Sequence, residues 1–368
     1  MVPARCIAMS TAARTALIAE DDETTVSSYL DHYFARQIAR AAGYGEHYRE
    51  LWESARDAAS GGKRLRPALL LLVHGHLARD PRVNQRADVV ELAAAFELLH
   101  TAFVIHDDVI DHDLVRRGRP NVQGRAVVAA IDRGASRDRA ADYGEAAAIL
   151  AGDLLISAAH VLIAGLAAPA DRRRALLDLL EGCVFRTAAG EHADVWASVS
   201  GSPTETEVLA VMENKTAAYS FRAPLQAGAL LAGAPTAVLA GLGRVGRHLG
   251  IAFQLRDDVL GVFGREEATG KSALGDLREG KETMLVSYAR RDPSWAAVAS
   301  AFGRRDLNEA QVQQLREVLR RSGALAYVEQ RIADEIAAVQ DLLQQLDVPE
   351  GLRKAIAATA LSVAGRNR

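Results

Sequence analysis

Cysteine is nearly absent from these 368 residues: there are two, Cys6 and Cys183, far apart in sequence. Two thiols cannot build a disulfide framework, so a reducing compartment, the cytoplasm, is the expected setting. Aromatic residues make up 5% of the chain and prolines number 10. Alanine and leucine fill the apolar half instead, and no stretch sustains period-two alternation, which favours closely packed helices over strands. The formal net charge is −3, far from the basic field that non-specific nucleic-acid binding needs, so no nucleic-acid partner is expected. The most apolar later stretch, Ala223 to Gly241, is broken by Gln226, Pro235 and several glycines. It is expected to be a buried core element, without membrane insertion. The N-terminus has scattered arginines but no apolar core before the acidic Glu20-Asp21-Asp22-Glu23, unlike a signal peptide.

What is present organises as one all-α chain. Residues 1–25 are expected to be loosely ordered and 26–368 to form a single large helical domain. Helices are predicted over Tyr29 to Arg40, from Pro67 through Leu77, and over Asp88 to Asp111. The polar segment Asp132 to Asp142 is predicted to be a surface loop before a helix over Glu145 to Ala164. Thr204 with Glu207 makes a capping box for a helix through Asn214 and Lys215, and Gly241 to Leu260 is the next long helix. Gly264 to Lys281, glycine-bearing and of alternating charge, is a lid candidate. Helices over Trp295 to Phe302, Asn308 to Arg321, Ala324 to Leu346 and Gly351 to Ala364 complete the expectation.

Two aspartate-rich segments carry the chemistry. Phe103-Val104-Ile105-His106-Asp107-Asp108-Val109-Ile110-Asp111 aligns with Phe253-Gln254-Leu255-Arg256-Asp257-Asp258-Val259-Leu260-Gly261. Carboxylates clustered at the end of an apolar helix are costly unless a cation binds them. Residues four apart share a helix face, so Asp107 and Asp111 can hold hard cations through oxygen, and Asp257 offers a third ligand. Mg²⁺ held this way keeps coordination positions open for phosphate, and two such clusters would grip one diphosphate. Cations accompany them. Lys63, Arg64 and Arg66 in Gly61-Gly62-Lys63-Arg64-Leu65-Arg66-Pro67 precede a helix N-terminus, itself favourable to anions. Arg116-Arg117-Gly118-Arg119-Pro120 adds guanidinium forks suited to phosphate. Lys215-Thr216, Gln254, Lys271 and Lys281 add donors around the second cluster.

From Gly61 to Lys281 this series of motifs resembles the trans-prenyltransferases, the head-to-tail isoprenyl diphosphate synthases or polyprenyl synthetases, of the geranylgeranyl diphosphate synthase type. The resemblance implies an all-α bundle around a deep apolar cavity, usually a homodimer, using two or three Mg²⁺ ions with Mn²⁺ as a substitute. It implies that isopentenyl diphosphate is held by Lys63, Arg66, His100 and Arg117, and an allylic diphosphate by Arg116, Lys215, Thr216, Gln254, Lys271 and Lys281. Asp107, Asp108, Asp111, Asp257, Asp258 and Lys215 are the expected catalytic residues. The family's second motif ends in a third aspartate, and here that position is Gly261.

Product length should follow from what blocks the cavity below the first motif. At about 1.5 Å per residue, side chains four or five positions before Asp107 lie roughly 6 to 7.5 Å deeper. Phe103 and Ala102 occupy those positions, with Leu98 and Leu99 a further turn down, and the expected product is geranylgeranyl diphosphate, C20. Farnesyl and longer diphosphates are the alternatives within the family. A terpene cyclase, which needs no second diphosphate pocket, and a non-catalytic regulatory subunit, suggested by Gly261, are the alternatives outside it.

Overall fold

The computed structural model describes residues 20–78, 83–264, 275–304 and 306–365. Helices come in the order α1 (Glu20–Ala41), α2 (Glu46–Ala59), α3 (Leu65–Leu77) and α4 (Val83–Ile110). A two-stranded hairpin, β1 (Val115–Arg116) and β2 (Arg119–Pro120), then leads into α5 (Val122–Asp132), α6 (Arg137–Gly165) and α7 (Ala170–Ser200). Next come α8 (Glu205–Val211), a π-helix (Met212–Arg222), α9 (Ala223–Ala232) and α10 (Thr236–Phe263). The chain continues through α11 (Gly275–Glu279), α12 (Met284–Ala289), α13 (Glu309–Arg321), α14 (Ala324–Gln345) and α15 (Glu350–Ala364). The fold is all-α, as the composition implied.

Local chemistry sets the helix starts. Thr204 and Glu207 form the expected capping box of α8, and Asn308 with Gln311 forms another on α13. The predicted loop over Asp132 to Asp142 is shorter than expected. Ser136 accepts a hydrogen bond from the Arg139 N–H and starts α6 at Arg137, so Arg137 to Asp142 are the first turns of a helix, exposed except at the buried Ala140. The predicted element over Ala223 to Gly241 is two helices parted at Gly233-Ala234-Pro235, where Gly233 has a φ of +74° and the proline stops the first helix. Trp295 to Phe302 begins as a 3₁₀ turn over Pro293–Ala297. The N-terminal residues 1–19, Lys271 and most of the lid candidate lie outside the described residues.

Packing divides the described chain into two compact units. The N-terminal unit runs to Asp178 and takes in Ala227–Gly233. At its centre α4 packs against α6, α3 and α1, burying Leu92, Phe96, Leu98, Leu99 and Ala102 to 1% exposure or less. Burial of this kind stabilises by about 25 cal/mol per Å² of apolar surface. The C-terminal unit, Leu179–Gln226 with Ala234 onward, is centred on α10, packed by the π-helix, α14 and α15. Leu242, Leu249 and Leu255 of α10 meet a core that includes Val328, Ile332 and Ile356. Two helices, Arg86–Ile110 and Arg137–Gly165, are long and apolar enough to cross a bilayer, with 72% and 44% of their most apolar windows buried. The first is therefore a core helix, whereas the second leaves apolar side chains exposed.

Candidate active site

In the N-terminal unit the site grows from the end of α4. At about 100° per residue, His100, Phe103 and Asp111 fall within about 40° of Asp107 on the helix. Asp107 is half-buried and Asp111 exposed. Asp108, about 100° further round the helix, is 4% exposed. It accepts from Arg116 Nε at 2.7 Å, and burial raises its pKa despite that partner. Asp108 thus anchors Arg116, whose Nη2 also reaches within 3.6 Å of Asp107. The hairpin bearing Arg116 and Arg117 is itself pinned. Asn121 N–H donates to the Leu114 carbonyl at 3.0 Å, which lies 2.2 Å from where a Cβ on Gly124 would be, so only glycine allows α5 to pass beneath.

The cationic loop before α3 takes its shape from backbone that side chains resist: Gly61 and Gly62 have φ of +74° and +86°, and Arg64 has +47°. A buried ion pair, Arg64 Nη1 to Glu97 Oε1 at 2.8 Å, holds Arg64 there. Arg117 folds back across the loop, its Nη2 3.4 Å from where a Cβ on Gly62 would be. Burial, then Arg66, Arg116, Arg117 and Arg64, keep the His100 imidazole well below its ordinary pKa. It is neutral at pH 7 among arginines, a hydrogen-bonding group in an anion-seeking pocket. The residues expected to share isopentenyl diphosphate are thus grouped within one unit. Of the four candidates for the cavity floor, Phe103 is part-exposed, whereas Ala102, Leu98 and Leu99 are at 0%. Helix phase explains this for two of the three, because Ala102 and Leu98 lie about 140° and 180° from Asp107.

The C-terminal unit repeats the arrangement. Asp257 is exposed and Asp258 3% exposed, so in both motifs the first aspartate is the more exposed and the second is buried. Thr216 Oγ1 donates to Gln254 Oε1 at 2.9 Å, and Gln254 Nε2 donates to Asp258 Oδ1 at 2.8 Å. Lys281 Nζ stands 3.8 Å from Asp258. Lys215, on the π-helix, is held by Glu191 at 3.0 Å and Asp194 at 2.7 Å. Burial alone would lower the Lys281 pKa, but Asp276, Asp258, Asp194 and Asp257 outweigh it and hold the ammonium charged. Glu97, Glu191, Asp194 and Asp276 escaped the sequence reading. Glu97 lies three residues before His100 and Asp276 five before Lys281, local hints both; Glu191 and Asp194 act across 24 and 21 residues.

Burial, reinforced by Asp276 and Asp257 against the pull of Lys281 and Gln254, raises the Asp258 pKa from 3.8 to about 7. The folded chain therefore binds more protons than the unfolded one between these values, and its metal-free stability falls as pH rises toward and through 7. Asp258→Asn is expected to melt roughly 3–5 °C higher than the parent at pH 8, and at nearly the same temperature at pH 4. Calorimetry at both pH values, in chelator, checks this.

Among the described residues no three metal-ligating side chains converge. Asp107 and Asp111, four apart on one face of the first motif, are nonetheless a donor pair that fits Mg²⁺, which takes one or two carboxylates and completes its shell with water and substrate phosphate.

The chain is similar to known proteins in both sequence and fold. A family model for polyprenyl synthetase matches residues 49–319. The geranylfarnesyl diphosphate synthase of Aeropyrum pernix is 33% identical over 292 residues, 78% of this chain and 84% of that protein. The geranylgeranyl diphosphate synthase of Methanosarcina mazei is 33% identical over 303 residues, covering 82% and 86%. A crystal structure of geranylgeranyl pyrophosphate synthase from Corynebacterium glutamicum, complexed with isoprenyl diphosphate and magnesium, superposes with a TM-score of 0.86 at 28% identity, covering 94% of this chain and 99% of that one.

Proposed function

The chain belongs to the polyprenyl synthetase family and is a prenyltransferase that makes trans-prenyl diphosphates; we propose that it condenses isopentenyl diphosphate head-to-tail with an allylic diphosphate, with Mg²⁺, to give geranylgeranyl diphosphate. The observation that carries this reading is the doubled motif, an open aspartate beside a buried, anchored one, with cations at each.

Asp107, Asp111 and Asp257 would hold Mg²⁺, which when bound neutralises the charge of the departing diphosphate. Arg116 adds fixed positive charge at the first motif and Lys215 and Lys281 at the second, where Thr216 and Gln254 orient Asp258. The carboxylates now paired with Lys215 and Lys281 keep both ammonium groups in place until a diphosphate competes for them. Lys63, Arg66 and Arg117, with neutral His100 as a hydrogen-bonding partner, hold isopentenyl diphosphate so that its double bond meets the allylic cation. A carbon–carbon bond forms, a proton leaves the adjacent carbon, and the released diphosphate is the nearest acceptor. The apolar walls must keep water out, since hydrolysis of the cation competes. Purified chain given labelled isopentenyl diphosphate, Mg²⁺ and C5, C10 or C15 primers is expected to yield mainly C20, and nothing in chelator. Failure to extend any primer would contradict the assignment.

Phe103 sets the product length in this reading, being the bulky side chain on the face of Asp107. Phe103→Ala is expected to shift products to C25 and beyond, and an unchanged distribution would remove it from the cavity floor. We further assign a cytoplasmic homodimer. Tyr143, Leu150 and Val161 of α6 are 40%, 55% and 66% exposed. Their spacings of 7 and 11 residues place them on one stripe, which supports a second copy packing there. Light scattering of the purified chain measures this directly.

A further inference from the structure

Two polar ties join α10 to α14 within the C-terminal unit. His248 Nδ1 lies 2.6 Å from Glu335 Oε2. About 12 Å further along α10, Arg256 donates through Nη1 to Glu329 Oε1 and through Nη2 to Glu329 Oε2, both at 2.7 Å. Only the second tie ends beside the second motif, because Arg256 immediately precedes Asp257. Asp257 is exposed, so the direction of its carboxylate depends on the turn of α10 that bears it. Arg256 on that turn is 4% exposed. A planar fork bonded at both nitrogens fixes rotation as well as distance, which a single ammonium would not. The end of α10 beyond it is held by α13, where Arg316 Nε donates to the Val262 carbonyl at 2.7 Å.

We propose that Arg256 and Glu329 are a positioning pair for the second motif: the fork sets the rotation of the α10 turn on which Asp257 stands, and so aims its carboxylate at a metal-bound diphosphate. This rests on the reading of that motif as a diphosphate site. Helix pairing alone makes a different forecast. Glu335 is the more buried partner, its side chain 8% exposed against 32% for Glu329, so disturbing it should cost the fold more. Were both ties there only to hold α10 against α14, loss of function would follow the same order. Positioning reverses that order, since the Glu335 tie ends far from the motif.

The experiment compares four full-length chains: the parent, Glu329→Gln, Arg256→Lys and Glu335→Gln. Calorimetric binding of Mg²⁺-pyrophosphate, thermal unfolding, and kinetics with each substrate varied in turn are the readouts. Glu329→Gln keeps the size and Arg256→Lys the charge, but neither keeps the charged fork. Both are expected to weaken pyrophosphate binding and raise KM for the allylic diphosphate about tenfold, with KM for isopentenyl diphosphate within about twofold of the parent. Glu335→Gln is expected to melt below Glu329→Gln, yet to bind pyrophosphate within about twofold of the parent, its tie being distant from the motif. A parent that binds no Mg²⁺-pyrophosphate would overturn the diphosphate reading and this proposal with it. A parent that binds it, with Glu329→Gln binding as tightly, would overturn the proposal alone. So would a loss of binding in Glu335→Gln as large as that in Glu329→Gln.

Discussion

Asp107→Ala is expected to lower the condensation rate at saturating substrates by about 10³-fold or more while leaving the fold intact. Removing a single group that stabilises developing charge in an enclosed site costs about 10²–10³, and Asp107 would carry the metal as well as its own charge. Its side chain is 29% exposed, with Arg116 Nη2 at 3.6 Å, and removing a part-exposed carboxylate should change stability by no more than about 1 kcal/mol. Asp108→Ala is the informative contrast. That carboxylate is buried against Arg116, and its loss leaves a guanidinium without its anchor, so stability and activity should fall together. Rates under Mg²⁺ saturation and unfolding curves for both variants separate the two roles.

The second large effect is expected at Gly250. The π-helix that carries Lys215 and Thr216 is clasped by glycines on both neighbours. A Cβ on Gly250 would lie 2.4 Å from Ala217 Cα, one on Gly246 2.5 Å from Arg222 Cα, and one on Gly190 2.3 Å from the Lys215 nitrogen. The obstructing atoms are backbone, so the π-helix must move. Gly250→Ala should cost about 1–3 kcal/mol by overpacking. Displacing Lys215 and Thr216 by a fraction of an ångström to an ångström should cost up to about 10²-fold in rate. Gly241→Ala, on the same helix, meets the end of the Leu346 side chain, which can give way, and should leave the rate within about twofold of the parent. Steady-state kinetics with the allylic substrate varied distinguishes displacement of the site from general loss of fold.

The parts of this molecule that were legible in the sequence are those governed by neighbouring residues. Capping at Thr204 and Asn308, the helix face shared by Asp107 and Asp111, and the cationic loop after Gly61 all follow from local spacing. The start of α6 was misjudged because polarity was taken for a loop, when Arg137 to Asp142 form the solvated first turns of a helix opened by Ser136. The π-helix left no such trace, for its wide turns depend on glycines at 190, 246 and 250, which lie on other helices. The division of labour within each Asp-Asp pair was equally hidden: Asp108 and Asp258 differ from Asp107 and Asp257 only in what the fold packs around them. Product length was argued from depth along α4, and depth alone cannot tell Phe103 from Ala102. Angular position around the helix can.

The central claim is that the aspartates of each motif hold metal ions that a bound diphosphate recruits. Spin-resonance titration of Mn²⁺, with and without an unreactive allylic thiodiphosphate, tests it most directly in the parent, Asp107→Ala and Asp257→Ala. The account predicts that the analogue tightens Mn²⁺ binding in the parent, and that either substitution abolishes the tightening. Undiminished tightening in Asp257→Ala would show that the second motif holds no ion of that diphosphate, and would contradict the account.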